Sequence, residues 1–353
     1  MTQENKSMSS VTIVDVAREA GVSYSTVSRV VNKFKHVRPE TRVRVEAAME
    51  KLGYVANLNA RSLAGGRSQV VGMLIYELDT SYHVELVRGV DSEITTSEYD
   101  LILSTTHKRK RRESTYVTQL TRGLVDGLLF VLPRNLEEYM QDLERLQVPY
   151  VLIDHPGLDN YKSNSITVTN WQGAYDATQY LIELGHCRIG FVTGFIEVVS
   201  AQDRLAGYQN AIRDNGLYVD PELIFKGDFL EDSGYEAAKK FLSLEKPPTA
   251  IFASSDVSAF GAIRAIDEAG YRIPEDISVI GFDDVPEASY FRPRLTTVRQ
   301  PLREMGELAT RMLVERIGNK TLPVEQVELP TQLIIRDSCQ SPMGSKLLES
   351  VPA

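Results

Sequence analysis

The most specific chemistry in this chain sits on one side of a short predicted helix. Tyr24, Ser25, Ser28, Arg29 and Asn32, all within YSTVSRVVN, are hydrogen-bonding types, and only Arg29 is charged. A solvated face usually carries more Glu and Lys; this set suits base edges and phosphates. Enzymatic chemistry has little to stand on. G-x-S-x-G, H-E-x-x-H, P-loop and G-x-G-x-x-G patterns are missing, and His36, His83, His107, His155 and His186 are scattered. Neither a catalytic group, a metal set nor a cofactor is expected.

Two helices and a turn must hold the polar face in place. Val27, Val30 and Val31 recur at i, i+3 and i+4 and fit against Val16, Ala17 and Ala20. Thr12 with Asp15 gives a capping signal T-x-x-D for a first helix, Gly21 marks the turn, and Ser23 caps the helix after it. Pro39 opens a third helix that runs to Leu52 and stops at Gly53. Its Val45, Ala48, Met49 and Leu52 are spaced to close a three-helix core. Spacing alone favours a plain helical hairpin, since most such helix pairs never touch DNA.

The wording of the motif is more specific than its spacing. DVAREAGVSYSTVSRVVN, continued by VRPETRVRVEAAMEKLGYVANLNARSLAGG, closely resembles the head of the lactose-repressor (LacI/GalR) family of transcription regulators, and the likeness continues to about Asp337. The resemblance implies that Tyr24, Ser25 and Arg29 touch bases in a DNA major groove while Thr12, Thr26 and Asn32 hold phosphates. It implies a hinge helix in NLNARSLA, with Asn57 and Ala60 at the minor groove and Leu63 wedged between base pairs once two subunits meet. Composition reads the same octet as a plain linker into Gly65-Gly66, too short to be helical alone. Three positions depart from the family pattern. Arg38 replaces a small cap, Ala56 a proline, and Asn59 an apolar residue that joins the hinges.

From Val70 onward, apolar runs alternate with amphipathic stretches. VVGMLIY, DLILST, DGLLFVL, YVLID and ITV read as buried parallel strands, and CRIGFVTG, TAIFAS and ISVIGF form a second series. Two such series imply two doubly wound lobes, with ligands bound beyond the carboxyl ends of the strands. The expected fold is therefore an all-α helix-turn-helix head on an α/β body of two parallel-sheet lobes, the body resembling periplasmic binding proteins. By family resemblance the cleft residues are Tyr82, His83, Ser200, Arg204, Phe229 and Asp256, with Trp171 as a sugar-stacking platform. Val198 stands where the purine-responsive branch carries a second arginine, which leaves a neutral sugar more plausible.

The 353 residues divide into a disordered start (1–10), a helix-turn-helix domain (11–56), a hinge (57–68), the body (69–339) and a disordered tail (340–353). The first lobe takes 69–168 and 299–327, and the second 169–297 and 328–339. The net charge of −9 conceals an asymmetry, because residues 1–68 carry 11 Lys/Arg against 6 Asp/Glu and the remainder is strongly acidic. Such a head meets phosphates with one end only. The run Lys108–Arg112 reads as a solvated face or as a dock for an anionic metabolite or partner. No apolar run approaches the roughly 20 residues of a membrane helix, the start is not a secretory signal, and two cysteines make no disulfide framework, so a cytoplasmic protein is expected.

These readings converge on a homodimeric repressor of a pseudo-palindromic DNA operator, controlled by a small molecule, a sugar by preference. A sugar-binding protein without regulatory role, a regulator that answers a non-sugar or phosphorylated effector, and an α/β enzyme are the competing classes. The tail lacks a heptad helix for tetramers, which favours a dimer.

Overall fold

The computed structural model describes residues 11–31, 34, 36–54, 67–106, 113–134, 136–157 and 163–342. Expectations for residues 1–10, Asn32, Asn57, Ala60, Leu63, the run Lys108–Arg112 and residues 343–353 lie outside the described residues.

The head packs α1 (Ile13–Ala20), α2 (Tyr24–Val31) and α3 (Pro39–Leu52) around Val16, Ala17, Ala20, Val27, Val30, Val45 and Ala48. The Thr12 backbone N–H donates to the Asp15 carboxylate at 3.0 Å, and the Asp15 N–H returns the bond to Thr12 Oγ1, closing the capping box. Gly21 ends α1 at φ 60°, a left-handed conformation that favours glycine. Arg38 makes no side-chain cap for α3, which opens on Pro39 alone.

Two six-stranded sheets build the body, and the apolar runs form their strands, buried on both faces in the sheet interior. Asp100–Thr105, expected to be buried too, lies instead at a sheet edge and is half-exposed. The first sheet has the order β11-β5-β4-β3-β1-β2, from β1 (Val70–Ile75), β2 (Asp100–Thr105), β3 (Gly127–Val131), β4 (Tyr150–Ile153), β5 (Asn164–Val168) and β11 (Gln326–Leu329). Around it lie α4 (Ser81–Ile94), α5 (Glu113–Thr121), α6 (Glu137–Leu146) and α11 (Leu302–Gly318). The second has the order β12-β10-β9-β8-β6-β7, from β6 (Ile189–Val192), β7 (Ile224–Phe225), β8 (Ala250–Ala253), β9 (Ser278–Asp283), β10 (Thr296–Arg299) and β12 (Gln332–Ile334). Its helices are α7 (Asn170–Glu183), α8 (Val199–Asp214), α9 (Glu231–Leu242) and α10 (Asp256–Glu268). Pairing is parallel except at β12, which runs antiparallel to β10 with Val298 opposite Leu333.

The chain passes between the sheets three times: after β5, after β10 and after β11. Threonines tie the first and third passages together, since the Thr331 N–H donates to Thr169 Oγ1 at 2.9 Å. Gln340, expected to begin a disordered tail, is fixed instead. Its carbonyl accepts from Ser278 Oγ at 3.1 Å and lies 3.0 Å from His186 Nε2.

The first lobe depends on a close helix pair. A Cβ on Gly89 of α4 would stand 2.0 Å from the Arg303 carbonyl oxygen of α11, so only hydrogen fits. Gly89→Val should push the two helices apart at a cost of about 1–3 kcal/mol or more, read as a lower denaturant midpoint.

Candidate functional site

On the head, Tyr24 is 54 % exposed, and Ser25 and Arg29 are exposed beside it. The Arg29 side chain has no hydrogen bond or ion pair among the described residues, so its donors are available. Ser23 Oγ lies 2.8 Å from both Ser25 Oγ and Thr26 Oγ1 and accepts from the Thr26 N–H, which orders the first turn of α2. Thr12 is exposed, with its hydroxyl donating to Asp15. Three other head arginines are engaged: Arg18 donates to Asp15, Arg44 to the Ala20 carbonyl and Arg42 to that of Phe34. The face is thus a set of small polar groups and one free guanidinium on a rigid helix.

Between the lobes lies a cleft of about 60 Å³. Its walls come from the carboxyl ends of strands: Tyr76 after β1, Arg134 after β3, Asp154 after β4, Phe195 after β6, Phe229 after β7 and Asp283 ending β9. Four of the lining residues, Leu132, Asp154, Phe229 and Asp283, have positive φ. Such conformations are strained for side-chain-bearing residues and concentrate at functional sites. Here they turn the chain sharply as it leaves the sheet.

The floor is set by Arg204 of α8, only 2 % exposed. Its Nε donates to Asn170 Oδ1 at 2.8 Å and its Nη1 to the Ser254 carbonyl at 2.6 Å. Nη1 also stands 3.6 Å from Asp283, and the guanidinium lies 3.7 Å from the Phe282 ring centroid. Burial raises the Asp283 carboxyl to about 7, against the pull of Arg204 and of the Gln300 amide that donates to it at 2.6 Å.

The opposite wall belongs to the first lobe. Tyr82 donates its hydroxyl to Asp154 Oδ2 at 3.1 Å, while Asp154 Oδ1 is buried without a partner among the described residues. Burial raises the Tyr82 phenol well above its usual value. His83 Nδ1 pairs with Thr80 Oγ1 at 2.7 Å, and its Nε2 is buried and unpartnered. Burial holds His83 at about 4, so the ring is neutral at neutral pH. The Phe229 ring lies so close to Gly194 that a Cβ there would stand 1.9 Å from it.

Tyr82, His83, Arg204 and Phe229 therefore meet in one cleft, and Val198 lines it too. Three expected residues do not line it. Asp256 is fully buried, accepting from the Val285 N–H at 2.9 Å and from the Thr297 hydroxyl, so it braces α10 against the β9–β10 corner. Ser200 is buried on α8 with an unpartnered hydroxyl outside the lining. Trp171 is 37 % exposed and stacks on Tyr175 at 5.0 Å, away from the cleft. Asp154, Asp283, Arg134, Tyr76 and Phe195 were missed. Each stands at or just after a buried strand, where sequence alone provides a cue.

Head and cleft together define a DNA-binding protein with a ligand-binding body. Residues 12–57 match the model of bacterial regulatory proteins of the lacI family, and residues 178–339 the periplasmic binding protein-like domain. Catabolite control protein A of Priestia megaterium is 37 % identical over 329 residues, 93 % of this chain and 99 % of that one. The HTH-type transcriptional repressor PurR of Proteus mirabilis is also 37 % identical, over 93 % of this chain and 96 % of its own length. Among solved structures, the lac repressor dimer bound to operator and the anti-inducer ONPF aligns with a TM-score of 0.79 at 32 % identity, over 94 % of this chain and all of that one. The complex of the transcriptional regulator CelR with cellobiose aligns at 0.71 and 33 %, over 93 % and 99 %. The chain belongs to the LacI family: it is a DNA-binding transcriptional repressor with an effector-binding body, not an enzyme.

Removing Arg204 strands a buried carboxyl. Arg204→Ala should lower stability by about 3–5 kcal/mol. Without its cation Asp283 stays protonated to higher pH when folded, whereas the unfolded carboxyl ionises in the usual range, so the loss should widen as pH rises past 7. Denaturant unfolding at pH 5 and pH 8 measures both effects.

Proposed function

We propose that this repressor works as a homodimer on a pseudo-palindromic operator and is controlled by a sugar-like ligand bound between its lobes. Each head lays α2 in a major groove, with Tyr24, Ser25 and Arg29 toward base edges and Thr12, Thr26 and Asn32 toward phosphates. The two hinges meet at the minor groove, where Asn57, Ala60 and Leu63 act. The protein resides in the cytoplasm with its DNA; among the described residues no helix is long and apolar enough to cross a membrane.

The observation that carries this reading is the wiring of the cleft floor to the interlobe passages. Arg204 holds Asn170, on the first passage, and Asp283 holds Gln300, on the second. A ligand that engages this pair alters bonds that set how the lobes sit, and through the first lobe how the hinges are spaced. Its effect is bounded by its differential affinity for the two arrangements.

The cleft combines flat apolar rings, Phe195 and Phe229, with fixed polar groups, the mixture that polyhydroxylated ligands require. Asp154 Oδ1 and His83 Nε2 have no partner among the described residues and suit ligand hydroxyls. Val198 presents an aliphatic side chain to the cleft where purine-responsive relatives carry arginine, and CelR was solved with cellobiose. Dimerisation is supported by an aromatic patch on the second lobe, where Phe260 stacks on exposed Phe291 at 4.3 Å beside Tyr290, 73 % exposed.

Selection of bound duplexes from a random pool, repeated with sugars present, tests the reading. It should return inverted half-sites whose recovery changes with one class of sugar. Arg29→Ala should lose about 1–3 kcal/mol of discrimination at one base pair while retaining weak, salt-sensitive binding; unaltered preference would refute its role. Asp154→Asn should hold operator affinity within about twofold and blunt the response to ligand, as titration of a labelled operator would reveal.

A further inference from the structure

We propose that Arg134 is an anion-recognition element of the cleft, and that the ligand carries a carboxylate or a phosphate on its polyhydroxyl frame. This rests on the cleft being the effector site. Arg134 follows β3 in the first lobe and is seated in the corner of two aromatic rings. Its guanidinium carbon is 3.8 Å from the centroid of Tyr76, of the same lobe, and 3.6 Å from that of Phe195, of the second lobe. The rings are 71° apart, with centroids separated by 5.8 Å. Ring faces hold a guanidinium by its charge and leave its N–H groups to other acceptors. Those donors have no hydrogen-bond or ion-pair partner among the described residues.

The second cation of the cleft, Arg204, is already committed to Asn170, Ser254 and Asp283. The acids are not evenly placed either. Asp154 and Asp283 bear on Tyr82 together with Arg204, whereas Arg134 and Asp79 are the charges that bear on His83. Glu77, which also lines the cleft, has a partner of its own. One end of the cleft therefore presents acceptors suited to hydroxyls, and the other a caged guanidinium beside a neutral imidazole on which Asp79 also bears, with no ion pair between Asp79 and Arg134 among the described residues. A planar fork held still by two rings suits bidentate binding of carboxylate or phosphate, with less ordering cost than a free side chain. Because Phe195 comes from the far lobe, an anion on Arg134 is bound where the two lobes already touch.

The test uses the full chain and a panel of pentoses and hexoses, each supplied as neutral sugar, as uronate or aldonate, and as phosphate ester. Thermal shift finds the binders, and calorimetry measures them on wild type, Arg134→Gln and Arg134→Lys. The expected result is that one anionic arm binds at least about tenfold more tightly than its neutral parent. Arg134→Gln abolishes that advantage without weakening the neutral parent, and Arg134→Lys retains part of it. A merely structural role would weaken both forms alike, and that outcome overturns the proposal. So does a neutral sugar that binds as tightly as its anionic forms; if it also shifts operator binding, the effector reading survives alone. A panel with no binder at all overturns both. Whichever arm wins separates a carboxylate from a phosphate.

Discussion

A single buried guanidinium, that of Arg204, connects the parts of the body that a ligand must influence. It bonds the start of α7, the end of β8 and, at longer range, the end of β9, so three elements of the second lobe converge on one planar ion. Taking such an ion out of water is expensive, and attraction to one carboxylate rarely repays it. What makes the arrangement tenable is that Asn170 and the Ser254 carbonyl satisfy further donors and the Phe282 ring lies against the cation. The return is positional. Two of the groups tied into this network, Asn170 and Gln300, lie on passages between the lobes.

That placement gives an economical account of how a remote pocket can govern a DNA-binding head. Three short passages join the lobes, and two of them are hydrogen-bonded to the cleft floor. On the cleft's other side, contacts already reach between lobes: Arg134 rests on Phe195, and Ser81 donates to Glu287 at 2.6 Å. Polar and cation–π contacts of this kind are individually modest, so a ligand needs only a few kcal/mol of differential binding to redistribute two lobe arrangements. Within the first lobe, α4 and α11 approach so closely at Gly89 that no side chain fits between them.

Much of this was legible in the sequence, for identifiable reasons. VVGMLI and DGLLFVL are apolar without alternation, which only a doubly covered strand explains, and both are strands. T-x-x-D at Thr12 announced a helix start because two backbone groups and two side chains satisfy one another there. The cleft was legible only in part. Arg204 and Phe229 came from family resemblance and line the cleft, but Asp256 and Trp171, expected on the same ground, do not, so a shared position does not fix which way a side chain faces. Asp256 is turned inward to the Val285 amide. Asp154, Asp283 and Arg134 escaped because a place at a strand end marks many residues and does not say which of them face the same cleft. They become a site only when two sheets, built from discontinuous stretches, bring their strand ends face to face.

The central claim is that cleft and DNA-binding head share one conformational equilibrium, and linkage makes it directly measurable. Ligand affinity should be determined by calorimetry for the free protein and for the protein saturated with its selected operator. The account predicts that the two dissociation constants differ, by the same factor that the ligand imposes on operator affinity. Identical ligand affinity with and without bound DNA would contradict it.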